Sequence, residues 1–145
     1  MMKKSFLFPQ RANETAFSLF LLGLRIFMGA MLFTHGLQKL ANLADLSASF
    51  PDPLGIGSQY SVLLAIFAEL FCSVLFVFGF LYRLSMIPMI VTMGVAFFKI
   101  HAGRLDGGEL ALIYFVIFIL MYLTGPGKYA IDYFFIRNKG SRKRR

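Results

Sequence analysis

Charge is scarce in this chain: 15% of its 145 residues are Asp, Glu, Lys or Arg, against about 25% in ordinary soluble domains. Acidic residues are scarcer still, seven against 15 Lys and Arg, which leaves a formal net charge of +8. Cysteine occurs once, as Cys72, which excludes an intrachain disulfide. With no Cys-x-x-Cys pair, the chain cannot shuttle two electrons as a disulfide by itself. Nor do the two histidines and one cysteine form a cluster with zinc-ligand spacing, so no metal site is expected. The basic residues are not interleaved with an amphipathic recognition surface, which argues against a nucleic-acid partner. Four of them crowd into Arg142, Lys143, Arg144 and Arg145. No internal repeat is present.

Apolar sequence is what the chain has in excess. Hydrophobic residues make up 58% of it, 18 are Phe, and the mean hydropathy is +0.70. A soluble core of this length needs less, and the surplus would leave large apolar patches in water. The apolar windows number four, at about 16–38, 61–81, 84–101 and 108–124. A helix of about 20 residues crosses the hydrocarbon core. Barrel strands are half that length and alternate apolar with polar, which the run from Tyr114 to Leu120 does not. The expected fold is all-α: an integral membrane bundle of four antiparallel helices in the lipid bilayer.

Orientation follows from the Lys and Arg outside the spans. Lys3, Lys4, Arg11, Arg83, Lys128, Arg137, Lys139, Arg142, Lys143, Arg144 and Arg145 share one side if the helix count is even. The other side keeps Lys39, Lys99 and Arg104, with Asp45, Asp52, Asp106 and Glu109 nearby. Both termini are therefore expected to be cytoplasmic. Residues 1–15 form a cytoplasmic segment, 16–135 the four-helix domain and 136–145 a basic tail near anionic lipid. The Met-Met-Lys-Lys start resembles a signal peptide, but the apolar stretch starts late, runs long and has no small-residue cleavage pattern, so the first helix is expected to be retained. Between the first two spans, Leu43, Leu46 and Phe50 recur at helical spacing before Pro51 and Pro53. A short amphipathic piece at the outer surface and a plain loop both fit. Gly125-Pro126-Gly127 ends the fourth helix.

Charges inside the bilayer cost about 2.5 to 3.5 kcal/mol even on the lenient insertion scale, so Arg25 and Glu69 need partners or a purpose. Each lies about 13 Å from its own end of a span, at 1.5 Å rise per residue, and the two ends are opposite. In a core about 30 Å thick that brings them near one depth, and a buried Arg25–Glu69 ion pair is the expectation. Cys72 reads as a small packing residue. At 100° per residue, Arg25, His35 and Lys39 share one stripe of the first helix. Lys99 and His101 end the third, and Glu109 opens the fourth. His35, Lys39, Lys99, His101 and Glu109 thus outline an outer pocket for an anion or a quinone head group. Two histidines at similar depth also admit axial ligation of haem, though no other feature asks for it.

The stretch Arg25-Ile-Phe-Met-Gly29-Ala-Met-Leu-Phe33-Thr-His35-Gly36-Leu-Gln-Lys39 resembles the first-helix signature of the DoxX family of small four-helix membrane proteins. The likeness continues through Glu69, the Gly79-x-x-x-Arg83 turn, His101, Gly108-Glu109 and Gly125-Pro126-Gly127-Lys128-Tyr129-Ala-Ile-Asp132, covering about 16–135. The resemblance implies a multi-pass protein of the bacterial inner (plasma) membrane. The family takes its name from a membrane subunit linked to thiosulfate:quinone oxidation, and some relatives are associated with oxidative-stress complexes. Distant animal relatives look like assembly factors for other membrane proteins.

Three functions stay open. The first is a quinone- or redox-associated membrane subunit without catalysis of its own, in which Arg25 and Glu69 position or protonate. The second is a non-catalytic factor that assembles or anchors another membrane protein or redox complex. The third is a small transporter. Broken helices at midplane would support transport, and Pro88 is expected in the first turn of the third helix, which tolerates it.

Overall fold

A computed structural model describes residues 13–142, with side chains through Arg137. The expectations for the terminal segment before Asn13, with Lys3, Lys4 and Arg11, and for Lys143, Arg144 and Arg145, lie outside the described residues. Every regular element among those described is helical: α1 (Glu14–Ala41), α2 (Leu43–Ser49), α3 (Ser58–Phe78), α4 (Tyr82–Ile100), α5 (Leu105–Thr124) and α6 (Ile131–Arg142). Four of them, α1, α3, α4 and α5, are long and apolar enough to cross a membrane.

Local chemistry sets the boundaries. The Asn13 side chain accepts the Thr15 N–H at 3.0 Å and starts α1. α2 is the short helix anticipated between the first two spans, and it stops at extended Phe50 before Pro51. Regular α5 begins at Gly108, because Asp106 and Gly107 are not helical. It ends at Gly125, whose φ of 83° a side chain disfavours. Pro88 does not sit in a first turn. α4 begins at Tyr82, so the proline falls in the second turn and leaves the Leu84 carbonyl without its usual donor. α6 runs unbroken across residue 136, where the tail was expected to start.

The relation between α1 and α3 is set by small residues. A Cβ on Gly36 would lie 2.8 Å from the Leu70 nitrogen and 2.9 Å from the Glu69 carbonyl carbon. Gly29 packs on Val77, Phe76 and Ser73 in the same way, and Arg25 reaches Gly79. Rising residue numbers on α1 therefore meet falling numbers on α3, and the backbones touch closely. The buried centre holds Met28, Met86, Met89, Met93 and Met121, whose flexible thioethers fill irregular gaps. Through it runs an aromatic series: Tyr82 stacks on Phe76 at 5.6 Å, Phe76 meets Phe118 at 5.5 Å, and Phe118 meets Tyr114 at 5.6 Å. Cys72 is buried in the same core.

Candidate functional site

Arg25 and Glu69, expected as partners, sit at different levels of the bundle. The contacts of Gly36 and Gly79 place Glu69 beside the last turns of α1 and Arg25 beside the end of α3. The error lies in register. Gly36 stands against Leu70 and Arg25 against Gly79, so the ends of α1 and α3 are staggered and equal depth from each end does not mean equal height.

Arg25 is fully buried and donates from Nη2 to the Tyr129 carbonyl at 2.7 Å. Its Nε and Nη1 have no partner among the described residues. Around it, the Asp132 carboxylate accepts the Leu81 and Tyr82 N–H groups at 3.0 and 2.8 Å, and the Asp132 N–H donates to the Gly79 carbonyl. Leu81 has φ of 47°, left-handed and costly for a branched side chain, and Asp132 holds that turn in place. Arg25, Gly79, Tyr129 and Asp132 thus join α1, the α3–α4 turn, the α5–α6 connection and the first turn of α6. This is an architectural joint.

Chemistry concentrates at the other end. The acid expected to pair with Arg25 takes Lys39 instead, with Nζ donating to Glu69 Oε2 at 2.6 Å. Glu69 lies on a π-helical turn, Phe67–Phe71, inside α3. Such turns add a residue to the helix and recur at functional sites. A second π-helical turn, Ala96–Ile100, closes α4. The polar residues gather around a cavity of about 190 Å³ bounded by His35, Lys39, Glu69, His101 and Tyr114, with apolar walls from Leu32 and Met93. The His35 ring meets Tyr114 edge-on at 6.3 Å. His101 packs so closely on Gly108 that a Cβ there would come within 2.8 Å. The Tyr114 hydroxyl is buried and has no hydrogen-bond partner among the described residues.

A second cavity, about 320 Å³ and mostly apolar, lies against the same pair. Its roof is the strap from Phe50 to Leu54, folded back over α3 and α4. The Asp52 carboxylate fixes that strap by accepting the Ile56 and Gly57 N–H groups at 3.0 and 2.7 Å and the Ser61 hydroxyl at 2.8 Å. The Gly57 N–H holds the exposed Asp52 carboxyl below the usual carboxylate range.

Of the outer-pocket residues expected from sequence, His35, Lys39 and His101 come together. Lys99 and Glu109 do not: both are exposed and bound neither cavity. On α4 it is Phe97 that turns inward, and at the start of α5 it is Gly108. Sequence reasoning passed over Tyr114, and a signal was available. Tyr114, Phe118 and Met121 recur at helical spacing, so the phenol sits on the buried face of α5.

The chain belongs to the DoxX family, whose family model matches residues 20–102. It is a membrane protein of that family with four apolar helices. An uncharacterized protein of Haemophilus influenzae is 32% identical over 121 residues, covering 77% of this chain and 80% of the relative. A second uncharacterized protein of the same organism is 31% identical over 121 residues, covering 78% and 88%. No solved structure matches the chain.

Proposed function

We propose that this protein is a quinone- or redox-associated subunit of the bacterial inner membrane, with four antiparallel spans and both termini in the cytoplasm. The orientation rests on charge. By sequence, eleven Lys and Arg flank the spans on the Arg25 side, Arg83, Lys128 and Arg137 among them, against three, Lys39, Lys99 and Arg104, on the Lys39 side. The observation that carries the function is Tyr114. A phenol hydroxyl buried without a partner costs about 1 to 3 kcal/mol, and this one borders a cavity with two imidazoles and an ion pair. Such a lining suits a small, flat head group with carbonyl oxygens. Tyr114 donates to one oxygen, and His35 or His101 serves the other. The Lys39–Glu69 pair stays neutral as a unit and closes one wall.

The test is native mass spectrometry of the protein taken gently into lipid nanodiscs. A bound quinone in the parent, reduced in Tyr114→Phe and in His35→Ala, is expected. An empty protein arriving with a stoichiometric partner overturns the reading in favour of an assembly or anchoring factor.

A further inference from the structure

The two cavities share Lys39, Glu69 and Ala96 in their walls, so the polar chamber and the apolar chamber lie on either side of those three residues. The polar chamber holds the unpartnered Tyr114 hydroxyl. The apolar one is walled by Leu64 and Ala65 of α3 and by Thr92 and Val95 of α4. We infer that they form one site for a single-chain amphiphile, with its neutral, acceptor-bearing head beside Tyr114 and the first part of its chain beneath the Phe50–Leu54 strap. This rests on the head-group reading above and adds the ligand's other half.

Three observations support it independently of Tyr114. The chamber of about 320 Å³ is at the small end of ligand cavities, room for a stretch of one chain and not for the paired chains of a phospholipid. Both π-helical turns, Phe67–Phe71 and Ala96–Ile100, contribute to the shared wall, through Glu69 and Ala96. Turns of this kind recur at functional sites, and both fall at the wall that the two chambers share. Finally, the strap is held in place by three hydrogen bonds to Asp52, with Pro51, Pro53 and Leu54 along the chamber. Chain and head together account for a polar site that lies beside an apolar one. A water-soluble ligand would have no use for the second chamber.

The experiment titrates the protein in nanodiscs with two probes, a benzoquinone bearing a decyl chain and the same ring with a methyl group in its place. Ala65→Phe and, as a second variant at an exposed roof position, Leu54→Trp fill the apolar chamber; Tyr114→Phe alters only the head site. The expected result is about tenfold weaker binding of the chain-bearing probe in Ala65→Phe or Leu54→Trp, with the methyl probe unchanged. Tyr114→Phe weakens both probes. If both probes bind, and neither filled variant alters the chain-bearing one, the chain chamber is wrong while the head site stands. If the folded parent binds neither probe, the head-group reading fails and this inference with it.

Discussion

Lys39 and Glu69 meet at 2.6 Å, the Glu69 side chain almost wholly buried and the Lys39 side chain about a quarter exposed, at 4% and 24%. The pair forms because Gly36, one turn earlier on α1, lets the helix backbone rest directly on the π-helical turn that carries Glu69. Lys39 then reaches the acid with its long stem, a geometry that a lysine sustains and a shorter cation would not.

Breaking the pair from one side leaves a buried charge uncompensated. Glu69→Leu or Lys39→Leu should each destabilise the protein by about 3 kcal/mol, the low end of the range for buried pairs because Lys39 is partly wet. The double variant should cost less than either single change added to the other. Thermal unfolding in nanodiscs across the four proteins measures the coupling, and simple additivity would show that the pair is not a unit.

Glycine substitutions separate contact from propensity. Gly36→Ala drives a methyl group into the Leu70 and Glu69 backbone, and overpacking of this kind costs about 1 to 3 kcal/mol. Gly23→Ala meets nothing within 4 Å and should be neutral or stabilising by up to about 1 kcal/mol, from helix propensity alone. Equal losses in the two variants would contradict the close approach of α1 and α3.

At the Arg25 joint, Asp132→Ala removes the acceptor for two backbone N–H groups at the start of α4. A lost helix cap costs about 1 to 2 kcal/mol, and Asp132→Asn should recover part of it. Hydrogen exchange at Leu81 and Tyr82 reads the effect directly. Unchanged exchange in Asp132→Ala would remove the aspartate from the joint.

The strap should respond to acid. The folded-state pKa of Asp52 is depressed, chiefly by the Gly57 N–H, so its contribution is present above the ordinary carboxylate pKa of about 3.9. It is lost as pH falls through the lower folded value. A fluorophore on Leu54→Cys, in a chain with Cys72→Ser, should report opening of the strap below about pH 4. With Asp52→Asn added, that acid step should disappear. A step of the same size with asparagine in place would assign the transition to another group.

Composition made the helices legible, because four long apolar windows in a chain with so little charge admit few alternatives. Glycine-framed ends and the prolines after Phe50 were legible for the same reason, since their backbone limits are local. Pairing was not. The sequence puts Arg25 and Glu69 at equal distances from opposite span ends, but the packed height depends on where Gly29 and Gly36 seat against α3, which is a tertiary fact. His35 and Lys39 could be read from one helical stripe. Lys99 and Glu109 could not be excluded, because each lies in or next to a departure from regular α-helix, the π-helical turn at Ala96–Ile100 and the kink at Asp106 and Gly107, where helical spacing no longer fixes the face. Tyr114 was legible as a buried-face residue from its spacing to Phe118 and Met121, but its lack of a partner was not, since that depends on what α1 and α4 bring beside it.

The most direct test of the central claim is the infrared carbonyl band of a bound, isotopically labelled quinone, recorded for the parent and for Tyr114→Phe. The account predicts that one carbonyl of the bound ring is shifted to lower frequency in the parent by a hydrogen bond from Tyr114, and that this shift is absent in the phenylalanine variant. A bound ring with the same carbonyl frequencies in both proteins would contradict it.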